Sequence, residues 1–212
     1  SVFFGTITTI KKYGRHLLLS SEYGSNSLLH FRDGIFIRHF DHIGSGPGEF
    51  ISLYGFYADT SKNELVIYDR NQLKLVYYDL TSGSFKFERK TKKFFSSLEM
   101  VSPNQIIYST DYSGQTGDFT YLFLTDSIFS EPQLLLNTKY QLVADATYPF
   151  NFTVGQGEIL YMQPITETLF RKEGQQMVPL LKVDFGNRSF PDELLKITSI
   201  EEVESRLASG NY

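Results

Sequence analysis

Gly55-Phe56-Tyr57-Ala58-Asp59-Thr60-Ser61-Lys62-Asn63-Glu64-Leu65-Val66-Ile67-Tyr68-Asp69-Arg70-Asn71-Gln72-Leu73-Lys74-Leu75-Val76-Tyr77-Tyr78-Asp79-Leu80 is the stretch that decides the fold. Aromatic and β-branched residues gather in short runs, which suits a pleated, half-buried surface. Polar residues that favour turns separate the runs. Phe56 to Asp59 reads as a strand and Thr60 to Asn63 as a turn. Glu64 to Asp69 is a second strand, Arg70-Asn71 a second turn, and Leu73 to Leu80 a third strand. Ser82-Gly83 turns the chain again, and Ser84 to Glu88 closes the set with alternating apolar and polar positions. Four antiparallel strands joined by tight turns make one self-contained sheet.

The pattern recurs on both sides. Residues from about Ile7 to Phe40 carry Leu17-Leu18-Leu19, Ser27 to Phe31, the turn Arg32-Asp33-Gly34, and Ile35-Phe36-Ile37. Residues from about Phe95 to Asn137 carry Ser97 to Met100, Gln105 to Tyr108, Phe119 to Leu124 and Gln133 to Leu136. Residues from about Phe150 to Phe185 carry Glu158 to Met162, Thr168 to Arg171, the turn Glu173-Gly174, and Val178 to Val183. Second strands are expected at Leu17, Leu65, Ile106 and Ile159. A repeat of ~45 residues with four strands each predicts β-propeller blades. The expected blades span about 1–40, 52–90, 95–137 and 146–187.

The end of the chain changes character. Pro191 to Leu194 can open a short helix. Ser199-Ile200-Glu201-Glu202 fits a capping box, in which the hydroxyl and a carboxylate satisfy free backbone N–H groups. Val203, Leu207 and Ala208 then suit a helix ending near Ser209-Gly210. Residues 191–212 therefore form a helical segment beside the all-β body.

Composition agrees and excludes several function classes. The 212 residues include 19 Phe and 14 Tyr but no Trp, and only 3 Met. The net charge of -4 argues against nucleic acid, whose binding rests on Lys and Arg. The one basic cluster, Lys86, Arg89, Lys90, Lys92 and Lys93, reads as a solvated strand end. No Cys is present, so neither a disulfide scaffold nor thiolate catalysis is available. No apolar run approaches the ~20 residues that span a bilayer.

His42-Ile43-Gly44-Ser45-Gly46-Pro47-Gly48-Glu49-Phe50 joins the first two repeats. It resembles the Gly-x-Gly-Pro-Gly-Glu-aromatic segment of a six-bladed β-propeller family abundant in gut bacteria, related to the NHL-repeat propellers. Glu64 to Leu80 resembles that family's strand, Asp, turn, strand pattern. Lys182 to Gly186 with Phe190-Pro191 resembles the segment leading into its helical insertion. The resemblance implies export, with a lipid anchor on the precursor and a site in the periplasm or at the cell surface. It also implies a six-bladed whole, of which this chain supplies about four blades, with a closed four-bladed propeller as the alternative. Asp126-Ser127-Ile128 resembles a short O-glycosylation motif of the same bacterial group.

Candidate site residues follow from residue type. The Gly44, Gly46, Pro47, Gly48, Glu49, Phe50 segment reads first as a tight connection. Its glycines supply positive φ, Pro47 stiffens it, and Glu49 accepts backbone hydrogen bonds. A Walker phosphate loop is excluded, because no Gly-Lys-Ser/Thr follows. A place at the propeller mouth would make His42 and Glu49 ligand contacts. Tyr148 and Phe150 could stack on a sugar or peptide, or pack between blades. His39, Asp41 and His42 invite a metal reading, but along a strand 39 and 41 share a face and 42 does not. Asp69 and Asp79 each end an aromatic strand and fit turn caps, with a calcium-binding carboxylate ring as the alternative. Asp111, Asp118 and Asp126 lack EF-hand spacing. None of the four His adjoins a Gly-x-Ser-x-Gly elbow.

These observations favour a non-catalytic module of an exported protein that binds an oligosaccharide, a peptide or an envelope protein, with no cofactor expected. A hydrolase or lyase at the axial pocket and a structural scaffold are the alternatives, because propellers host unrelated functions.

Overall fold

In a computed structural model of the chain, the described residues are 7–21, 26–91, 94–110, 121–126, 129–137, 152–155, 158–162, 167–186 and 200–209. They form four antiparallel four-stranded sheets and one helix. The first sheet holds β1 (Thr9–Tyr13), β2 (His16–Ser21), β3 (Ser27–Arg32) and β4 (Ile35–Phe40). The second holds β5 (Gly55–Asp59), β6 (Glu64–Asp69), β7 (Lys74–Asp79) and β8 (Phe85–Lys90). The third holds β9 (Ser97–Ser102), β10 (Gln105–Thr110), β11 (Tyr121–Asp126) and β12 (Gln133–Asn137). The fourth holds β13 (Phe152–Gly155), β14 (Glu158–Met162), β15 (Thr168–Glu173) and β16 (Gln176–Lys182). Each sheet is a meander in chain order, the form of a propeller blade. The anticipated second strands fall within β2, β6, β10 and β14. Helix α1 (Ile200–Ser209) lies where the apolar spacing places it, with Arg206 paired to Glu202 one turn back. No helix among the described residues is long and apolar enough to cross a membrane.

Turn chemistry explains the short connections. Asp33 and Gly34 both have positive φ between the paired residues Arg32 and Ile35. A two-residue turn of that kind matches the twist of the flanking strands. Leu73, expected in the third strand of the second blade, instead has a positive φ of 49° and belongs to the turn before β7.

A feature absent from the sequence pattern repeats in all four blades. Pairing between the third and fourth strands shifts by one residue at His30/Phe31, Tyr77/Tyr78, Leu122/Phe123 and Leu169/Phe170. Ile37, Lys86, Leu135 and Leu180 are the extra residues left on the fourth strands. Such bulges bend and twist a strand, which discourages edge-to-edge pairing.

The chain divides into two compact units, Ser1–Phe94 and Phe95–Tyr212. In the first, Leu18, Leu28 and Phe40 from one blade meet Phe56, Ala58, Leu65, Ile67, Val76 and Tyr78 from the next. Phe50 and Leu53 of the connecting segment join the same core. In the second unit, Ile107, Leu122, Leu124 and Leu135 pack with Ile159, Tyr161 and Met177. Each core is therefore shared by two blades, because a single sheet buries its apolar face only against another layer.

Candidate functional site

The glycine-rich connection lies along β7 of the second blade. Gln72 Nε2 donates to Gly44 O at 3.1 Å, Lys74 Nζ to Gly46 O at 3.3 Å, and Tyr78 Oη to Gly48 O at 2.6 Å. The loop closes on itself as well. Gly44 N donates to Phe50 O, and Phe50 N to His42 O. Gly46 N donates to a Glu49 carboxylate oxygen at 2.8 Å. A Cβ at Gly44 would displace that carboxylate, the movable end of Glu49, and with it the bond to Gly46 N. Gly48 combines φ +73 with the Phe85 ring, which a Cβ would approach to 2.7 Å. His42 stacks on Tyr78 with centroids 5.6 Å apart.

Beneath the loop, Lys74 is 1% exposed and its ammonium meets Glu88 Oε2 at 2.9 Å. Hydrogen bonding and charge from Lys74 hold the Glu88 carboxyl below its usual range. Burying an ammonium is tolerable only with such partners.

Asp59, Asp69 and Asp79 end β5, β6 and β7, and each caps the turn that follows. Asp59 accepts from Ser61 and Lys62 N–H, and Asp79 from Thr81 and Ser82 N–H. Asp69 does more. Its fully buried carboxylate accepts from the N–H groups of Ile51, Asn71 and Gln72, from Ser52 Oγ and from Gln72 Nε2. Burial pushes this carboxyl up, but the donors from Ile51, Gln72 and Ser52 outweigh it and hold it low. Asp69 thereby ties the segment entering β5 to the turn leaving β6.

That turn carries Arg70. Its guanidinium carbon sits 4.4 Å from the Tyr54 ring centroid and 4.0 Å from that of Phe94. Tyr54 itself meets Tyr68 edge-on at 6.3 Å. Gly55 pairs with Tyr68, Asp69 with Lys74, and Lys74 with Lys90, so these groups share one end of the blade. Lys90 Nζ reaches Gln72 O there at 3.3 Å. Sequence reasoning did not find this cluster. Its members come from three connections, and no local spacing unites them.

Histidines form a second cluster that the sequence does not signal. His16 Nδ1 lies 2.8 Å from His30 Nε2 across β2 and β3, and the rings stack. His30 is 1% exposed, and its Nδ1 has no hydrogen-bond partner. Burial, with His16, Arg38 and Arg32 nearby, lowers the His30 pKa to about 4. His39 Nδ1 lies 3.5 Å from Asp41, whereas His42 is turned to Tyr78. Among the described residues, no three His, Cys, Asp or Glu side chains gather where they could hold a metal. Asp126 accepts from Ser130 N–H at 2.9 Å, as a local cap. Tyr148, Phe150, Asp111 and Asp118 lie outside the described residues.

Residues 1–208 match a family model described as a domain of unknown function, DUF4934. A Bacteroides fragilis protein named "Putative exported protein" superposes with a TM-score of 0.70 at 25% identity, over 84% of this chain and 51% of that one. BamB from Moraxella catarrhalis gives 0.47 at 12% identity, over 82% and 47% of the two chains. The U3-55K structure gives 0.50 at 9% identity, over 78% and 48%. The chain thus spans about half the length of the solved structures it matches. No curated protein matches the sequence.

Proposed function

The chain belongs to the DUF4934 family, and from that premise we propose that it is a non-catalytic binding module of an exported protein. In this reading the whole protein is a six-bladed, lipid-anchored propeller in the periplasm or at the cell surface. Export is supported by the likeness to the Bacteroides fragilis protein. Binding rests on one observation: Arg70 is held between two aromatic rings at a blade end, on a turn locked by Asp69 and Ser52. Rigid elements that present side chains from connecting loops suit ligand capture. The glycine-rich loop is the structural partner in this assignment, because its polar groups are spent within the loop and on the second blade.

A scaffold role is the second reading. It is favoured by exposed apolar residues on fourth strands, among them Ile35, Phe36, Phe85, Phe87 and Leu181. The deciding experiment is a thermal-shift screen of the full-length protein against acidic and neutral oligosaccharides and peptides. A ligand that binds only the native state raises the melting temperature. A shift with one class supports the module; a flat response at millimolar concentrations supports the scaffold. Cell fractionation tests export, with recovery in the envelope fraction expected and recovery in the cytosol against it.

A further inference from the structure

We propose that Arg70, clamped between Tyr54 and Phe94, is a carboxylate-recognition point at the end of the second blade. The proposal deepens the binding-module reading and rests on it. Arginine on a protein surface usually meets an acid or a carbonyl. Among the described residues Arg70 has neither: its side-chain contacts are the two rings. The carboxylate next to it in sequence, Asp69, is occupied by five donors from the backbone and from Ser52 and Gln72.

The arginine is also positioned before any ligand arrives. Its own N–H donates to Ser52 Oγ at 3.1 Å, and the following Asn71 N–H donates to Asp69 at 2.9 Å. Backbone and guanidinium are thus both restrained, which lowers the ordering cost of binding. The two rings pack against the guanidinium carbon, which leaves its N–H fork as the recognition edge. A planar carboxylate meets that fork with two parallel hydrogen bonds. A phosphate can meet the same fork with two oxygens, so inorganic phosphate is the control anion in the titration. Lys90, whose ammonium reaches Gln72 O at the same end, adds a second positive charge. Lysine in place of Arg70 would keep the charge but lose the fork and much of the stacking.

A sugar acid and a peptide C-terminus supply the same chemistry, and the probes separate them. Calorimetric titration of the full-length protein would use trigalacturonate and its methyl ester, a tripeptide acid and its amide, and inorganic phosphate. At least one acid is expected to bind about tenfold more tightly than its neutral derivative, the scale of one charge-assisted hydrogen-bond pair. Arg70→Gln should erase that preference and Arg70→Lys should reduce it, with unliganded melting curves confirming that both variants fold. The winning acid names the source. Equal binding of acid and neutral forms would overturn the Arg70 assignment while leaving the module reading intact. So would an acid preference that survives in Arg70→Gln, or binding of phosphate alone. Absence of binding by every probe would remove the Arg70 assignment, and a flat thermal-shift screen beside it would remove the module reading too.

Discussion

Lys74 shows how much one residue carries here. It opens the strand Lys-Leu-Val-Tyr-Tyr-Asp, where its charge suggests solvent exposure. Instead it is buried, holding Glu88 and the carbonyl of Gly46 together. Lys74→Met should cost about 2 kcal/mol in urea unfolding, less than a fully buried pair because Glu88 keeps partial exposure. His30 has a different signature. Its pKa of about 4 lies below the ordinary value of about 6.5 in an unfolded chain. Between those values the unfolded state binds more protons, so stability rises with pH across that window. Stability is full above it and falls as the solution is acidified towards pH 4. A urea midpoint measured from pH 7 down to 4 should decline, and His30→Gln should flatten the decline. The low carboxyl of Asp69 acts at more acid pH: its contribution is present above about 4 and lost below. Neither role is legible in the sequence. Burial of a lysine or a histidine is set by neighbours from other strands.

At the scale of elements, the loop from His42 to Phe50 was legible in kind but not in detail. Its Gly-Pro-Gly-Glu composition announces a tight connection, and Glu49 does accept from the Gly46 N–H. That Gln72, Lys74 and Tyr78 capture its carbonyls is not written in the segment. Gly48→Ala should cost about 2 kcal/mol or more, because left-handed strain adds to collision with Phe85. Gly14→Ala shares the positive φ but meets open space, so about 1 kcal/mol is expected. Chemical denaturation of the two variants side by side checks the difference; equal losses would show that Phe85 yields freely. The fourth-strand bulges were invisible beforehand, since one extra residue in a strand leaves no compositional mark.

Across the whole molecule, the unit of cooperation is a pair of blades. Leu28 of the first blade is fully buried in a core made largely by the second. Leu28→Ala should therefore cost about 3 kcal/mol. Hydrogen exchange should show protection falling together in β2, β3, β5, β6 and β7. Loss confined to the first blade would mean that blades open singly.

Strand number, strand order and blade count were determined by the sequence itself. Runs of β-branched and aromatic residues broken by Asp, Asn and Gly have few solutions other than meandering sheets, and that signal is local. The aspartates at strand ends were equally local, because a carboxylate caps the two or three residues that follow it. Only the tertiary structure decided that Asp69 also binds Ile51 and Ser52, that two histidines meet across a hairpin, and that Arg70 lies between Tyr54 and Phe94. These contacts join residues far apart in the chain. Their geometry depends on how turns from separate connections arrive at one blade end, and no periodicity along a single strand encodes that.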